Sequence, residues 1–138
     1  MIRTENRNVV IVDDDIGMAD FVSDAVEFLG YVPVVAGDGQ QCLDLVKATR
    51  PACIIMDIVM PDMDGVELLK KLTEAQSSSP VIVMSGYDGK YLKSVSLIAE
   101  ASGIVVLGAL MKPFSVDDLD PLLAALEHGV ETGGEGTQ

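Results

Sequence analysis

A chain of 138 residues has room for one domain with a core of its own. Apolar residues make up 49% and charged residues only 22%, a balance that argues against disorder. Nine Lys and Arg against 22 Asp and Glu leave a net charge of −13, which repels phosphate backbones and anionic lipid headgroups, so neither nucleic acid nor a membrane is an expected partner.

No apolar run is long enough to span a bilayer, and the polar start Arg3-Thr4-Glu5-Asn6 lacks the apolar core of a signal peptide. Cys42 and Cys53 form no motif and suit a reducing cytoplasm, which is the expected location.

The first apolar run, residues 9–12, reads as a strand. After Asp13-Asp14-Asp15, a stripe of Met18, Phe21, Val22, Ala25, Val26 and Leu29 predicts a helix capped by Asp15 and stopped at Gly30. Residues 32–36 predict strand two, and 40–49 a helix that ends before Arg50-Pro51. Strand three is expected at 53–56. A turn rich in Pro, Asp and Gly then leads to a helix starting near Gly65 and carrying Val66, Leu68, Leu69 and Leu72. Asp62-Met63-Asp64-Gly65 lacks the remaining ligand spacing of a calcium loop. Strand four is read at 81–84, a helix at about 90–101, strand five at 104–111, and a last helix ending near His128. Pro121 allows two starts for that helix: a cap at Asp118, with proline in the first turn, or Ser115, with proline inside it. The Gly-rich stretch 129–138 reads as a flexible tail or linker after a domain of residues 1–128.

The runs are rich in Val and Ile and do not alternate with polar residues, as in a parallel sheet covered on both faces. Strictly alternating strands and helices predict an open α/β sheet with right-handed crossovers. Polar residues gather where strands end: Asp13, Asp14 and Asp15 after strand one, Asp57 after strand three, Ser85 after strand four and Lys112 after strand five. That edge is where such sheets bind ligands, and with strand order 2-1-3-4-5 the acids of strands one and three converge. Converging carboxylates repel unless a cation lies among them, and an oxygen-only donor set favours Mg²⁺. A divalent ion plus Lys112 would balance Asp13, Asp14 and Asp57, a setting suited to an arriving phosphoryl group.

Four motifs in order carry a family resemblance: Val9-Val10-Ile11-Val12-Asp13-Asp14-Asp15, Ile54-Ile55-Met56-Asp57 through Pro61-Asp62-Met63-Asp64-Gly65, Val83-Met84-Ser85-Gly86, and Met111-Lys112-Pro113-Phe114. Over about residues 8–128 the chain resembles a response-regulator receiver domain. The resemblance implies a flavodoxin-like (βα)5 doubly wound sandwich, whose strand order 2-1-3-4-5 is the family's own. It implies a phosphoacceptor of a two-component system and not a turnover enzyme. Asp57 would accept the phosphoryl group from the phosphohistidine of a sensor histidine kinase or phosphotransfer protein. Mg²⁺ would be held by Asp13, Asp14, Asp57 and the Val59 carbonyl, with Ser85 and Lys112 bonding the phosphoryl oxygens. A downstream effector protein or a fused output domain would be regulated. The stretch 101–110 is also similar to receivers that precede EAL-type phosphodiesterase domains.

The chain departs from the family at Gly86, where Ala is usual, and at Ala109, where Tyr or Phe usually stands. Without that ring, switching is expected in residues 85–93, with Tyr87 as the moving aromatic. The face of helix four, strand five and helix five is the expected partner surface. Two other functions compete. Asp13-Asp14-Asp15 contains the Asp-x-Asp of haloacid-dehalogenase-like phosphohydrolases, but Gly17 stands where those prefer Thr or Val, and no acid pair follows strand four. A degenerate receiver that only binds partners would not need the intact acid set.

Overall fold

The computed structural model describes residues 6–61, 63–86 and 89–127. Ten elements alternate: β1 (Asn8–Val12), α1 (Ile16–Phe28), β2 (Val32–Ala36), α2 (Gly39–Thr49), β3 (Cys53–Asp57), α3 (Gly65–Glu74), β4 (Val81–Ser85), α4 (Gly89–Ala101), β5 (Val106–Met111) and α5 (Val116–Glu127). The strands form one parallel sheet in the order β2-β1-β3-β4-β5, as expected for the flavodoxin-like fold.

The uninterrupted apolar runs have a plain cause. Every residue of β3 and β4 is buried, because these strands lie inside the sheet with helices on both faces, whereas the edge strands β2 and β5 are only partly covered. Alternate residues point to opposite faces. Val10, Val12, Ile54, Met56 and Val83 pack with Leu43, Val46, Leu68, Leu72, Leu92 and Val95 of α2, α3 and α4. Val9, Ile11, Ile55, Ile82 and Met84 pack with Val22, Val26, Leu119 and Leu123 of α1 and α5.

The helices start where short acids accept a hydrogen bond from an otherwise unpartnered amide. Asp15, Asp38 and Asp64 cap α1, α2 and α3, accepting from the amides of Met18, Gln41 and Glu67. Asp15 is thereby committed to capping, as the sequence suggested, and Asp64, expected only as part of a turn, caps α3 as well. Helix α5 takes the second of its two possible starts. Ser115 Oγ accepts from the Asp118 amide at 3.3 Å while Asp118 Oδ2 accepts from the Ser115 amide at 2.9 Å. This reciprocal box starts the helix at Ser115, and Pro121 then lies inside it. Strand five is shorter than its apolar run: Ile104 is buried but accepts no place in the sheet, donating its amide to the Ala99 carbonyl at the end of α4. The register slips by one residue at Leu107, since Val81 pairs with Val106 and Ile82 with Gly108. His128, the tail 129–138, Asp62 and the Tyr87-Asp88 pair lie outside the described residues.

One glycine is fixed by close approach. A Cβ on Gly65, at the start of α3, would lie 2.7 Å from Ile58 Cα, just past the end of β3. Backbone cannot yield as a flexible side chain does. Gly65→Ala is therefore expected to destabilise the domain by about 1–3 kcal/mol, read as a lower urea midpoint. An unchanged midpoint would show that the turn has slack.

Candidate functional site

Each strand brings its polar residue to the same edge. After β1 the chain turns sharply, and Asp13 Oδ1 accepts the Asp15 amide at 2.9 Å, which aims the other oxygen inward. After β3 the same device recurs: Asp57 Oδ1 accepts the Val59 amide at 2.9 Å. Asp13 and Asp57 are almost fully buried, and Asp14 is exposed. Ser85, fully buried, ends β4, and its carbonyl accepts the Lys112 amide at 2.8 Å, so β4 fixes where Lys112 leaves β5. The Lys112–Pro113 peptide is cis.

Lys112 Nζ closes the site by donating to Asp57 Oδ2 at 2.8 Å and to Asp13 Oδ2 at 2.9 Å. One cation thus bridges two buried carboxylates. Burial works against the ammonium charge, but the hydrogen bonds to Asp57 and Asp13 outweigh it and hold the Lys112 pKa above the usual lysine range. Burial raises the Asp13 pKa above the usual carboxylate range, and the bonds from Lys112 and the Asp15 amide only partly offset this.

Carboxylate oxygens of Asp13, Asp14 and Asp57 come within 4.8 Å of one another. These three form an oxygen-donor cluster that could hold a hard cation, with no His or Cys in the set. Of the residues singled out from sequence, Asp13, Asp14, Asp57 and Lys112 are brought together. Val59 joins through its amide, and Ser85 stands beside Lys112 at the end of the neighbouring strand. Ala109 is exposed on β5, so no ring covers that position. What the sequence reading missed is that Lys112 is already engaged by both acids. Its sequence signals were the Pro113-Phe114 that follow it and its position, at the end of an edge strand facing acids from two others.

The sequence profile of the family described as Response regulator receiver domain matches residues 9–124, and the chain belongs to that family. Receivers accept phosphoryl groups in two-component signalling. The chain is 31% identical over 114 residues to sporulation initiation phosphotransferase F of Bacillus subtilis, covering 83% of this chain and 88% of that protein. It is 30% identical over 120 residues to the transcriptional regulatory protein FixJ of Bradyrhizobium diazoefficiens, covering 87% of this chain but 56% of that protein. The chain spans about half the length of the two transcriptional regulatory proteins and the response regulator MprA that it matches. Among solved structures, the receiver domain of the Francisella response regulator 1452 superposes with a TM-score of 0.75 at 32% identity, covering 91% of this chain and 99% of that one. Vibrio cholerae chemotaxis protein CheY4 superposes with a TM-score of 0.75 at 28% identity, over 88% and 98% of the two chains.

Replacing Lys112 with Ala leaves two buried carboxylates facing each other. In metal-free buffer at neutral pH the variant is expected to stay folded but to lose about 1–3 kcal/mol. Because the folded pKa of Lys112 is raised, its contribution is fully present below the ordinary lysine value of 10.5 and fades as pH climbs through the higher folded value. The gap between wild type and variant in urea titrations should therefore hold at neutral pH and narrow in strong alkali. Equal stability at neutral pH would mean that the bridge contributes nothing.

Proposed function

We propose that Asp57 is the phosphoacceptor and that Lys112 is the movable charge that receives the phosphoryl group. A carboxylate oxygen of Asp57 attacks the phosphorus of a partner's phosphohistidine. The P–N bond breaks, its electron pair stays on the imidazole nitrogen, and an aspartyl phosphate forms. The observation that carries this reading is the 2.8 Å contact between Lys112 Nζ and Asp57 Oδ2 beside a second buried acid. A lysine already at the attacked carboxylate needs only to follow the new oxygens.

Asp13, Asp14, Asp57 and the carbonyl of Val59 would hold Mg²⁺, in keeping with the oxygen-only set. Bound there, Mg²⁺ supplies positive charge against the carboxylates and the phosphoryl oxygens. Asp13 keeps Lys112 in reach through its 2.9 Å contact, and the Ser85 hydroxyl donates to a phosphoryl oxygen. The phosphohydrolase reading loses its second acid, because Asp15 is engaged as the cap of α1. The partners are a sensor histidine kinase or phosphotransfer protein and a downstream effector or fused output domain. We place the reaction in the cytoplasm; among the described residues no helix is long and apolar enough to cross a membrane.

Incubation with a small phosphodonor should add one phosphoryl group to the intact mass. Asp57→Asn or a chelator should abolish the adduct, and Lys112→Ala should reduce its formation at least about tenfold. A persistent adduct in Asp57→Asn refutes the assignment.

Phosphorylation places new negative oxygens beside Ser85, at the entrance to α4. Amide exchange should change most in residues 85–93, and the output surface is then the face of α4, β5 and α5. Changes confined to residues 57–65 would contradict this route.

A further inference from the structure

The opposite edge of the sheet, where the strands begin, carries a second polar site. A cleft of about 370 Å³ opens between the C-terminal end of α2 and the turn after α3. Its lining includes Lys47, Arg50, Gln76 and Ser78 over an apolar floor of Val46 and Ala75, and no carboxylate lines it. In a chain of net charge −13 this is an unusual place. Among the described residues neither Lys47 nor Arg50 is paired with an acid.

The backbone singles out the same cleft. After α1 and α4 the chain enters the left-handed region at glycines, Gly30 at φ 96° and Gly103 at φ 90°. At the ends of α2 and α3 it does so at Arg50, φ 46°, and Gln76, φ 60°, which are the two non-glycine residues with positive φ among those described. Glycine is the low-cost residue in that conformation. Both positions instead carry a long polar side chain, and both line the cleft. Backbone strain that coincides with a polar cleft is a pointer to a site.

A purely structural reason for the cations would be service to the carbonyls at the end of α2. Asn6 already performs that service, since its side-chain amide donates to the carbonyls of Thr49 and Arg50. The two walls are tied together by Ser79 Oγ, which donates to the Pro51 carbonyl at 2.7 Å. The cleft is therefore held in shape by side-chain hydrogen bonds, and Lys47 and Arg50 lie exposed along it.

We propose that this cleft binds a small phosphate-bearing anion, with Lys47 and Arg50 facing its phosphoryl oxygens and Gln76 and Ser78 donating hydrogen bonds. The floor of Val46 and Ala75 accommodates an organic portion, and the volume is that of a small-molecule site. The site is separate from the acid edge, because Pro51 precedes β3 while Asp57 ends it.

The test is a titration of the ¹⁵N-labelled chain, in metal-free buffer, with inorganic phosphate in one arm and adenosine monophosphate in the other. Saturable shifts are expected at the amides of Lys47, Arg50 and residues 76–79, without matching shifts at 13–15 or 57–59. Tighter binding of the nucleotide assigns an organic phosphate, and equal binding assigns free phosphate; either upholds the site. Arg50→Gly should weaken binding at least tenfold while the melting temperature holds or rises, because glycine relieves the backbone. Lys47→Gln, on the exposed side of α2, should weaken binding with no change in melting temperature. Absence of saturable shifts, or wild-type binding by both variants, would overturn the proposal.

Discussion

Asp13 at the end of β1 and Asp57 at the end of β3 are placed side by side by parallel pairing, and both are buried. Two such carboxylates cannot share a dry edge without a counter-charge. Lys112 supplies it, at 2.9 and 2.8 Å, and much of the fold serves to deliver that one ammonium group. Its amide is fixed by the Ser85 carbonyl, so β4 sets its position. The acids are fixed by their own turns, through the amides of Asp15 and Val59. The result is a site held together by electrostatics, with one ammonium group bridging two buried carboxylates.

Much of this was legible in the sequence because the fold class imposes strong rules. Central strands must be apolar on both faces, so 9–12, 53–56 and 81–84 stood out, and polar residues at their C-terminal ends had to meet. The parts that were not legible depend on side-chain geometry. That Lys112 bridges two acids cannot be read from one lysine in the sequence. The start of α5 hung on whether Asp118 caps alone or answers Ser115, a choice between two local bonds that only coordinates separate. Strand five looked two residues too long because Ile104 is apolar for burial beside Ala99 and not for pairing.

A further arrangement escaped the sequence reading at the far edge of the sheet. Arg7 lies over the Tyr31 ring at 4.3 Å and contacts Glu127 at 3.1 Å, while the Tyr31 hydroxyl donates to the same Glu127 oxygen at 2.5 Å. Burial and the neighbouring carboxylate push the Tyr31 hydroxyl well above the usual phenol range, so it remains a donor. Residues 96 positions apart give no local pattern to find. The contact ties the end of α5 to the entry of β1 and β2.

The central claim is that the edge assembled around Lys112 directs the phosphoryl group to one carboxylate. Borohydride reduction of the phosphorylated wild-type chain, followed by peptide sequencing, reads this directly, since an aspartyl phosphate is converted to homoserine. Homoserine at position 57 alone is the predicted result. Homoserine at position 13 or 14, or a stable phosphoryl group on another residue with position 57 unmodified, would contradict it.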